Sequence, residues 1–577
     1  MQYRLVNPEI KQNYVQELLK LKGVEDIDTY LNPSADECLL DPALLENIEA
    51  GAELLCKSCE NTKKIILLIV DSDNDGFTSS AILYQYIKRI APQKEITFVL
   101  HDGKQHGLED HMDFIEDYRD SCDLVILPDS SSNDYMYHEQ LREWDMKCLV
   151  LDHHLADPPF SANAVIINNQ LSPNYPNKEL TGAGVVYQFC RYLDRKLNLN
   201  YADDYIDLAA WGIIGDMGSL LTYENRYIVS QGLAHPTNFF FRTLIEKQSF
   251  SMNGEVTPIS VAFYIVPLIN AMIRVGSKDE KVRLFLAFIN GEMPIPSNKR
   301  GAKGTMEKAA IESARECTNA RNHQNKAKEQ IVERLEAKIF KEGLLDNKVL
   351  FIRLDEDDDF PSELNGLVAM QLAAKYKKPT IVARLNNEGY IRGSARGLNE
   401  SALNSFKEFL DTTDMFEYTA GHDNAFGISI PNSRLSEFHK IANEELADID
   451  FGEGVYDVNF VRHANSKDLE DLIEDIYDYR EIYGQGFPEP LIYVDNIYIN
   501  KANISIIGKN KDTVKFSKNG IVYIRFRAKD LIEDIDQHAN MNFKIVGRAN
   551  MNEWNGVFTP QIFIDNYELT ETKDTDF

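Results

Sequence analysis

The segment Lys63-Lys-Ile-Ile-Leu-Leu-Ile-Val70 restricts the fold more than any other stretch of this chain. It shows no polar alternation, so it reads as a strand buried on both faces, the pattern of a parallel sheet covered by helices. Apolar runs at 96–100, 123–127, 147–151 and 165–168 read as further strands. Stretches at 81–90, 183–197 and 205–214 read as helices. Strands interspersed with helices predict an open α/β sheet.

The chain has 577 residues, about four domains by the usual length prior. Residues 1–60 read as a helical segment and 61–300 as the first α/β domain. Residues 301–342 are rich in Ala, Glu, Lys, Arg and Gln and predict a long polar connecting helix. A second, smaller α/β block follows at 343–450, with strands at 349–354, 380–385, 390–395 and 428–430 and a helix at 363–375. The acidic run Asp355–Asp359 within it reads as a solvated loop. Residues 451–577 hold short strand candidates at 491–494, 513–516, 521–526, 543–547 and 561–565, as in a small β-barrel.

Charge and cysteine content narrow the function classes. Lys and Arg total 61 against 91 Asp and Glu, a net charge of −30. That excludes a bulk positive field but leaves room for a local basic groove. Apolar runs such as Ile65–Val70 fall far short of the ~20 residues that span a bilayer, so no membrane helix is expected. The N-terminus lacks a signal-peptide pattern, and seven scattered cysteines argue against a disulfide framework, so the expected compartment is the cytoplasm. Cys56 and Cys59 form a C-x-x-C without a second ligand pair, and read as helix thiols.

The chemistry concentrates at strand ends. Asp71, Asp73 and Asp75 follow the first strand, Asp129 the third, Asp152-His153-His154 the fourth, and Asp216 closes a helix. In open α/β sheets the carboxyl edge is where ligands bind. Acids this dense repel one another unless a cation compensates. Six Asp and two His make a mixed oxygen and nitrogen ligand set suited to two Mn²⁺ or Mg²⁺ ions, which can activate water in phosphoryl transfer. An EF-hand loop starting at Asp71 would need a Glu at its twelfth position, where Ile82 stands.

The Asp152-His153-His154 motif, with Asp71–Gly76 before it and Asp216 after it, resembles the DHH phosphoesterase superfamily. Leu180–Val186, Tyr223–Leu233, Pro267–Arg274, Gly393–Arg396, Gly421–Gly427, Tyr483–Pro490 and Glu553–Gly556 narrow the resemblance to RecJ-type single-strand exonucleases. The sequence departs from that pattern at Ser131, Leu268, Ile273 and Ala420, which marks a divergent member. The resemblance implies a DHH catalytic domain, a DHH-associated domain at 343–450 and a C-terminal OB-like barrel.

It also implies roles. Asp73, Asp75, Asp129, His153 and Asp216 would hold metal, with Asp129 bridging; Asp71 and Asp152 would orient the ligands. His154 would touch the scissile phosphate or donate a proton to it. Asn270, Arg274, Ser394, Arg396 and His422 would bind strand phosphates. Tyr523, Arg525, Arg548 and Trp554 of the barrel are candidate strand contacts, with Arg527 beside them. The expected function is hydrolysis of single-stranded DNA from the 5′ end in repair, recombination or replication. The enzyme would work as a monomer, with a helicase or single-strand-binding protein as partner. Two alternatives remain: a phosphodiesterase acting on short oligonucleotides or cyclic dinucleotides, and an inactive single-strand-binding scaffold.

Overall fold

A computed structural model describes all residues except Lys104, Pro159, 356–359 and 573–577, and the side chain of Trp554. The acidic run therefore lies, apart from Asp355, outside the described residues, as does the Trp554 side chain. The chain forms two compact units: residues 19–324 with 479–488, and residues 1–18, 325–478 and 489–577.

The first unit is built on a parallel sheet of β1 (Ile65–Val70), β2 (Ile96–Leu100), β3 (Cys122–Pro128), β4 (Lys147–Asp152) and β5 (Val165–Asn168). Their order is β2-β1-β3-β4-β5, every pair parallel. Ile66 to Val70 are all fully buried, as the unbroken aliphatic run requires. Strand order reverses at β1, with β2 on one side and β3 on the other. That switch point opens a crevice at the carboxyl ends of β1 and β3.

Helices α1 (Asn74–Ile90), α2 (Gly182–Leu197) and α3 (Ile206–Gly215) pack on one another above the sheet. Expected from Ala81, α1 instead begins at Asn74. The Asp73 carboxylate caps it by accepting the Gly76 N–H at 3.0 Å, which turns a run that reads as loop into a first helical turn. Pro258–Val275 is long and apolar enough, by length and composition, to pass as a membrane span, which a count of unbroken apolar runs does not reveal. In the fold it divides at Ile265 into Pro258–Tyr264 and α4 (Val266–Val275), with Val261, Ile265, Leu268 and Ile269 in the core.

The connecting helix α5 spans Ala309–Glu342 and not 301–342, because Pro294–Pro296 and Met306–Lys308 pair as an antiparallel hairpin ahead of it. Cys56 and Cys59 sit half-buried on the helix Ile48–Glu60, as free thiols.

The second unit holds two sheets of function-bearing sequence. A five-stranded sheet runs Tyr418–His422, Ala425–Pro431, Tyr390–Arg396, Thr380–Leu385, Leu350–Leu354. Its first strand has no counterpart in the sequence pattern. The other is a mixed seven-stranded sheet, whose core hairpin pairs Asn540–Trp554 with Val557–Glu571. These strands of 15 residues are three times the expected length. Gln2–Leu5 pairs in parallel with Val455–Val458, so the N-terminal residues are not purely helical.

Candidate metal centre

The acids arrive at the crevice by different routes. β1 runs directly into Asp71, and the first turn of α1 carries Asp75. β3 ends before Asp129, whose φ of 69° puts it in the left-handed region, as does the 81° of Ser131. Ser131 thus stands at a position suited to the Gly of the resembling family. β4 delivers Asp152 and the two histidines, and Asp216 caps the end of α3.

Close packing brings these chains together. A Cβ on Gly212 would lie 2.3 Å from Asp75 Oδ1, and one on Gly182 would lie 2.3 Å from Asp129 Oδ1. Only a bare Cα lets α2 and α3 approach the carboxylates this closely. Thr181 Oγ1 and the Ala183 N–H both donate to Asp75 Oδ1, each at 3.1 Å.

The convergence is direct. His153 Nε2 lies 3.2 Å from Asp129 Oδ1 and 3.4 Å from Asp216 Oδ2. Ligand atoms lie within 4.8 Å of one another in each of three sets: Asp75, His153 and Asp216; Asp71, Asp73 and Asp129; Asp129, His153 and His154. Asp129 belongs to two of these sets. Asp71 Oδ1, Asp75 Oδ2, Asp129 Oδ1 and His153 Nε2 are buried and have no hydrogen-bond partner among the described residues. Buried polar atoms are nearly always paired. Orphaned carboxylate oxygens and an imidazole nitrogen in one crevice are the donor set that divalent cations take.

Electrostatics agree. Burial, then the charge of Asp73, pushes Asp75 up to about 7. Burial followed by Asp75 takes Asp216 to about 8, and the same two causes hold Asp129 well above the usual carboxylate range. Burial, then the neighbouring His154, lowers His153 to about 4, so its ring is neutral and ready to ligate.

Asp152 does something different. Its Oδ1 accepts the backbone N–H groups of His153 and His154 at 2.7 and 3.1 Å and meets His154 Nδ1 at 2.8 Å; its Oδ2 accepts the Ser132 N–H at 3.0 Å. It organises the turn that aims both histidines. The hydrogen bond to Asp152 is the main cause raising His154 to about 9.

Asp71 holds a histidine the sequence reading does not single out: His106 Nδ1 lies 2.5 Å from Asp71 Oδ2. His101 Nε2 approaches the other oxygen at 3.9 Å, and His101 Nδ1 pairs with His111 Nε2 at 3.0 Å. Three histidines within eleven positions after β2 are the available signal.

Outside the cluster, Arg274 and Asn270 lie half-buried on α4 in the same unit. Ser394, Arg396 and His422 belong to the other unit. Ser394 and Arg396 sit on the strand Tyr390–Arg396, which pairs with Ala425–Pro431, and His422 faces Ala425 on the next strand. Arg396 packs over Gly366, in the first turn of the helix Asn365–Tyr376.

The barrel candidates need correction. Tyr523 is fully buried, stacked 5.2 Å from Phe516, so it is core and offers no face to a base. Arg525 is mostly covered, paired with Asp530 at 2.8 Å and set over the Tyr567 ring. Arg548 is exposed but lies 3.3 Å from Asp565, a partner that competes with phosphate. Arg527 is exposed.

Residues 65–213 match the DHH family, N-terminal domain, and residues 465–566 match the RecJ OB domain. The SPbeta prophage-derived protein YorK of Bacillus subtilis (strain 168), to which a single-strand DNA-specific exonuclease activity is ascribed, is 35% identical over 99% of both chains. The chain belongs to the RecJ family. The single-stranded-DNA-specific exonuclease RecJ of the same bacterium is 24% identical over 93% of this chain and 65% of its own length. RecJ from Thermus thermophilus, solved in complex with Mn²⁺, has the same fold: TM-score 0.71 at 20% identity, covering 99% of this chain and 80% of that one.

Proposed function

We propose that this chain is a metal-dependent exonuclease that hydrolyses single-stranded DNA from its 5′ end. The observation that carries the reading is the set of four unpartnered buried ligand atoms at the switch point of a RecJ-family sheet. Asp73, Asp75, Asp129, His153 and Asp216 would hold two Mn²⁺ or Mg²⁺ ions, with Asp129 shared. Bound there, such ions supply an acidified water and neutralise charge on the leaving oxygen.

The protein's own groups do the rest. Asp71 and Asp152 orient imidazoles. His154, charged at neutral pH, keeps Nδ1 on Asp152 and directs Nε2 to a phosphate oxygen. Arg274 and Asn270 in this unit, and Ser394, Arg396 and His422 in the 343–450 segment, bind backbone phosphates. Residues 451–577 supply the strand platform.

One chain carries the whole cluster, so a monomer suffices. Seven free thiols suit the cytoplasm. A molecule of net charge −30 attracts free strands weakly, which favours delivery by a helicase or single-strand-binding protein. The test is incubation with Mn²⁺ and 5′- or 3′-labelled single strands beside a dinucleotide. Early loss of the 5′ label supports the reading. Cleavage of the dinucleotide alone, or binding without cleavage, refutes it.

A further inference from the structure

Asp71 stands to His106 as Asp152 stands to His154. In each pair the carboxylate is buried and the imidazole is about half-exposed. Side-chain exposures are 0% and 47% for Asp71 and His106, and 1% and 54% for Asp152 and His154. Each ring meets its carboxylate through Nδ1, at 2.5 and 2.8 Å. Both pairs also reach Asp129: an oxygen of Asp71 lies within 4.8 Å of one of its oxygens, and so does a ring nitrogen of His154. Two buried-acid, half-exposed-imidazole pairs thus share one neighbour at the centre of the crevice.

The chain on both sides of His106 is tied to the crevice. Ser72 Oγ, next to Asp71, donates to the Gln105 carbonyl at 2.5 Å. The Leu108 N–H donates to Asp134 Oδ2 at 2.9 Å, on the loop that also carries Asp129. Upstream, Lys281 Nζ donates to the Asp102 carbonyl at 2.5 Å. These bonds hold the ring beside Asp71. With Nδ1 on the carboxylate, covalent geometry puts Nε2 on the far side of the ring. A phosphate there would place an anion beside each nitrogen, which favours the doubly protonated imidazole and a charge-assisted bond from Nε2.

We propose that His106 is a catalytic residue of this site: its Nε2 donates to a non-bridging oxygen of the phosphate being cut, from the Asp71 side, as His154 does from the Asp152 side. The assignment rests on the nuclease reading above. It adds to that reading a second imidazole on the reacting phosphodiester.

The experiment uses the full chain with His106→Asn and His106→Gln. The Asn amide reproduces Nδ1 and keeps the Asp71 bond, whereas the Gln amide reaches the Nε2 position. With Mn²⁺, the single-turnover cleavage rate of His106→Asn falls about a hundredfold, the scale of one lost donor to a reacting oxygen. Its calorimetric Mn²⁺ affinity and melting temperature stay at the wild-type values, and His106→Gln cleaves faster than His106→Asn. Stereopure phosphorothioate strands give a readout that a merely structural role does not move. Sulfur at the oxygen facing His106 slows the wild type, and that slowing shrinks in His106→Asn because the contact is already gone. A wild-type rate in His106→Asn overturns the proposal. So does a rate loss matched by an equal loss of Mn²⁺ affinity with the wild-type response to sulfur, which marks a residue serving Asp71 alone. A wild type that binds strands but cuts none refutes the nuclease reading. Strand affinity of His106→Asn against the wild type, with Mn²⁺ present, then still decides the contact: equal affinities overturn it.

Discussion

Asp152 Oδ1 lies 2.8 Å from His154 Nδ1 and accepts that residue's own backbone N–H at 3.1 Å, so one carboxylate fixes both the ring and the turn that carries it. This hydrogen bond is the main cause lifting His154 to about 9, and it leaves the imidazole charged at neutral pH. Asp152→Asn keeps the shape and removes the charge. The pKa of His154 then falls, and the alkaline limb of the kcat profile moves to lower pH by about one unit or more. NMR titration of the ring alongside the pH–rate profile checks this. An unmoved limb contradicts a catalytic imidazolium.

The carboxylate cluster predicts how the metal-free protein responds to pH. Asp71, Asp75 and Asp216 are raised to about 6, 7 and 8, chiefly by burial. Raised acids bind more protons in the folded than in the unfolded state, so stability falls as pH rises. The loss begins near the unfolded carboxylate value of about 4 and is complete above about 8. Lowered histidines such as His153 oppose this trend below their ordinary value of about 6.5, so thermal melting of chelator-treated protein should decline from pH 7 to pH 8.5, where Asp75, Asp216 and His154 lose their protons. Added Mn²⁺ should restore it most at the alkaline end. A melting temperature that climbs across that range without metal contradicts the cluster electrostatics.

Gly212 lets α3 pass Asp75 at contact distance. In Gly212→Ala the new Cβ would meet Asp75 Oδ1 at 2.3 Å and Ala183 Cβ at 2.4 Å, so Asp75 or α3 must shift. Overpacking of this kind costs about 1–3 kcal/mol. Displacing a catalytic group by about 1 Å can cost roughly a hundredfold in rate. Calorimetric Mn²⁺ affinity and single-turnover cleavage should both fall steeply, and retention of both would show that the cradle is not needed.

Tyr523 separates core from platform. Tyr523→Phe should bind single strands as the wild type does, because the ring is enclosed against Phe516. Tyr523→Ala should cost about 3–5 kcal/mol of stability, measured by denaturant unfolding. A selective loss of strand affinity in the Phe variant would restore Tyr523 to the binding surface.

The first sheet is legible in the sequence because strands buried on both faces leave unbroken aliphatic runs, as in Ile65–Val70 and Leu124–Leu127. Asp71, Asp129 and Asp152 are legible because each stands at the end of such a run. Long-range pairing leaves no local trace: Gln2–Leu5 finds Val455–Val458 across the length of the chain. The edge strand Tyr418–His422 carries too few apolar residues to stand out. The hairpin of Asn540–Trp554 and Val557–Glu571 reads as short pieces because polar residues interrupt its alternation. At the site, the metal-ligand types announce themselves, whereas their supports do not. Thr181, Gly212 and His106 matter through contacts made only in the fold.

Anomalous scattering from crystals grown with Mn²⁺ tests the central claim most directly. Two peaks should appear in the crevice at the carboxyl ends of β1 and β3, touching Asp75, Asp129, His153 and Asp216, with Asp129 shared between them. Asp129→Ala should remove at least one. Peaks elsewhere, or none at these residues with Mn²⁺ in excess, would contradict the account.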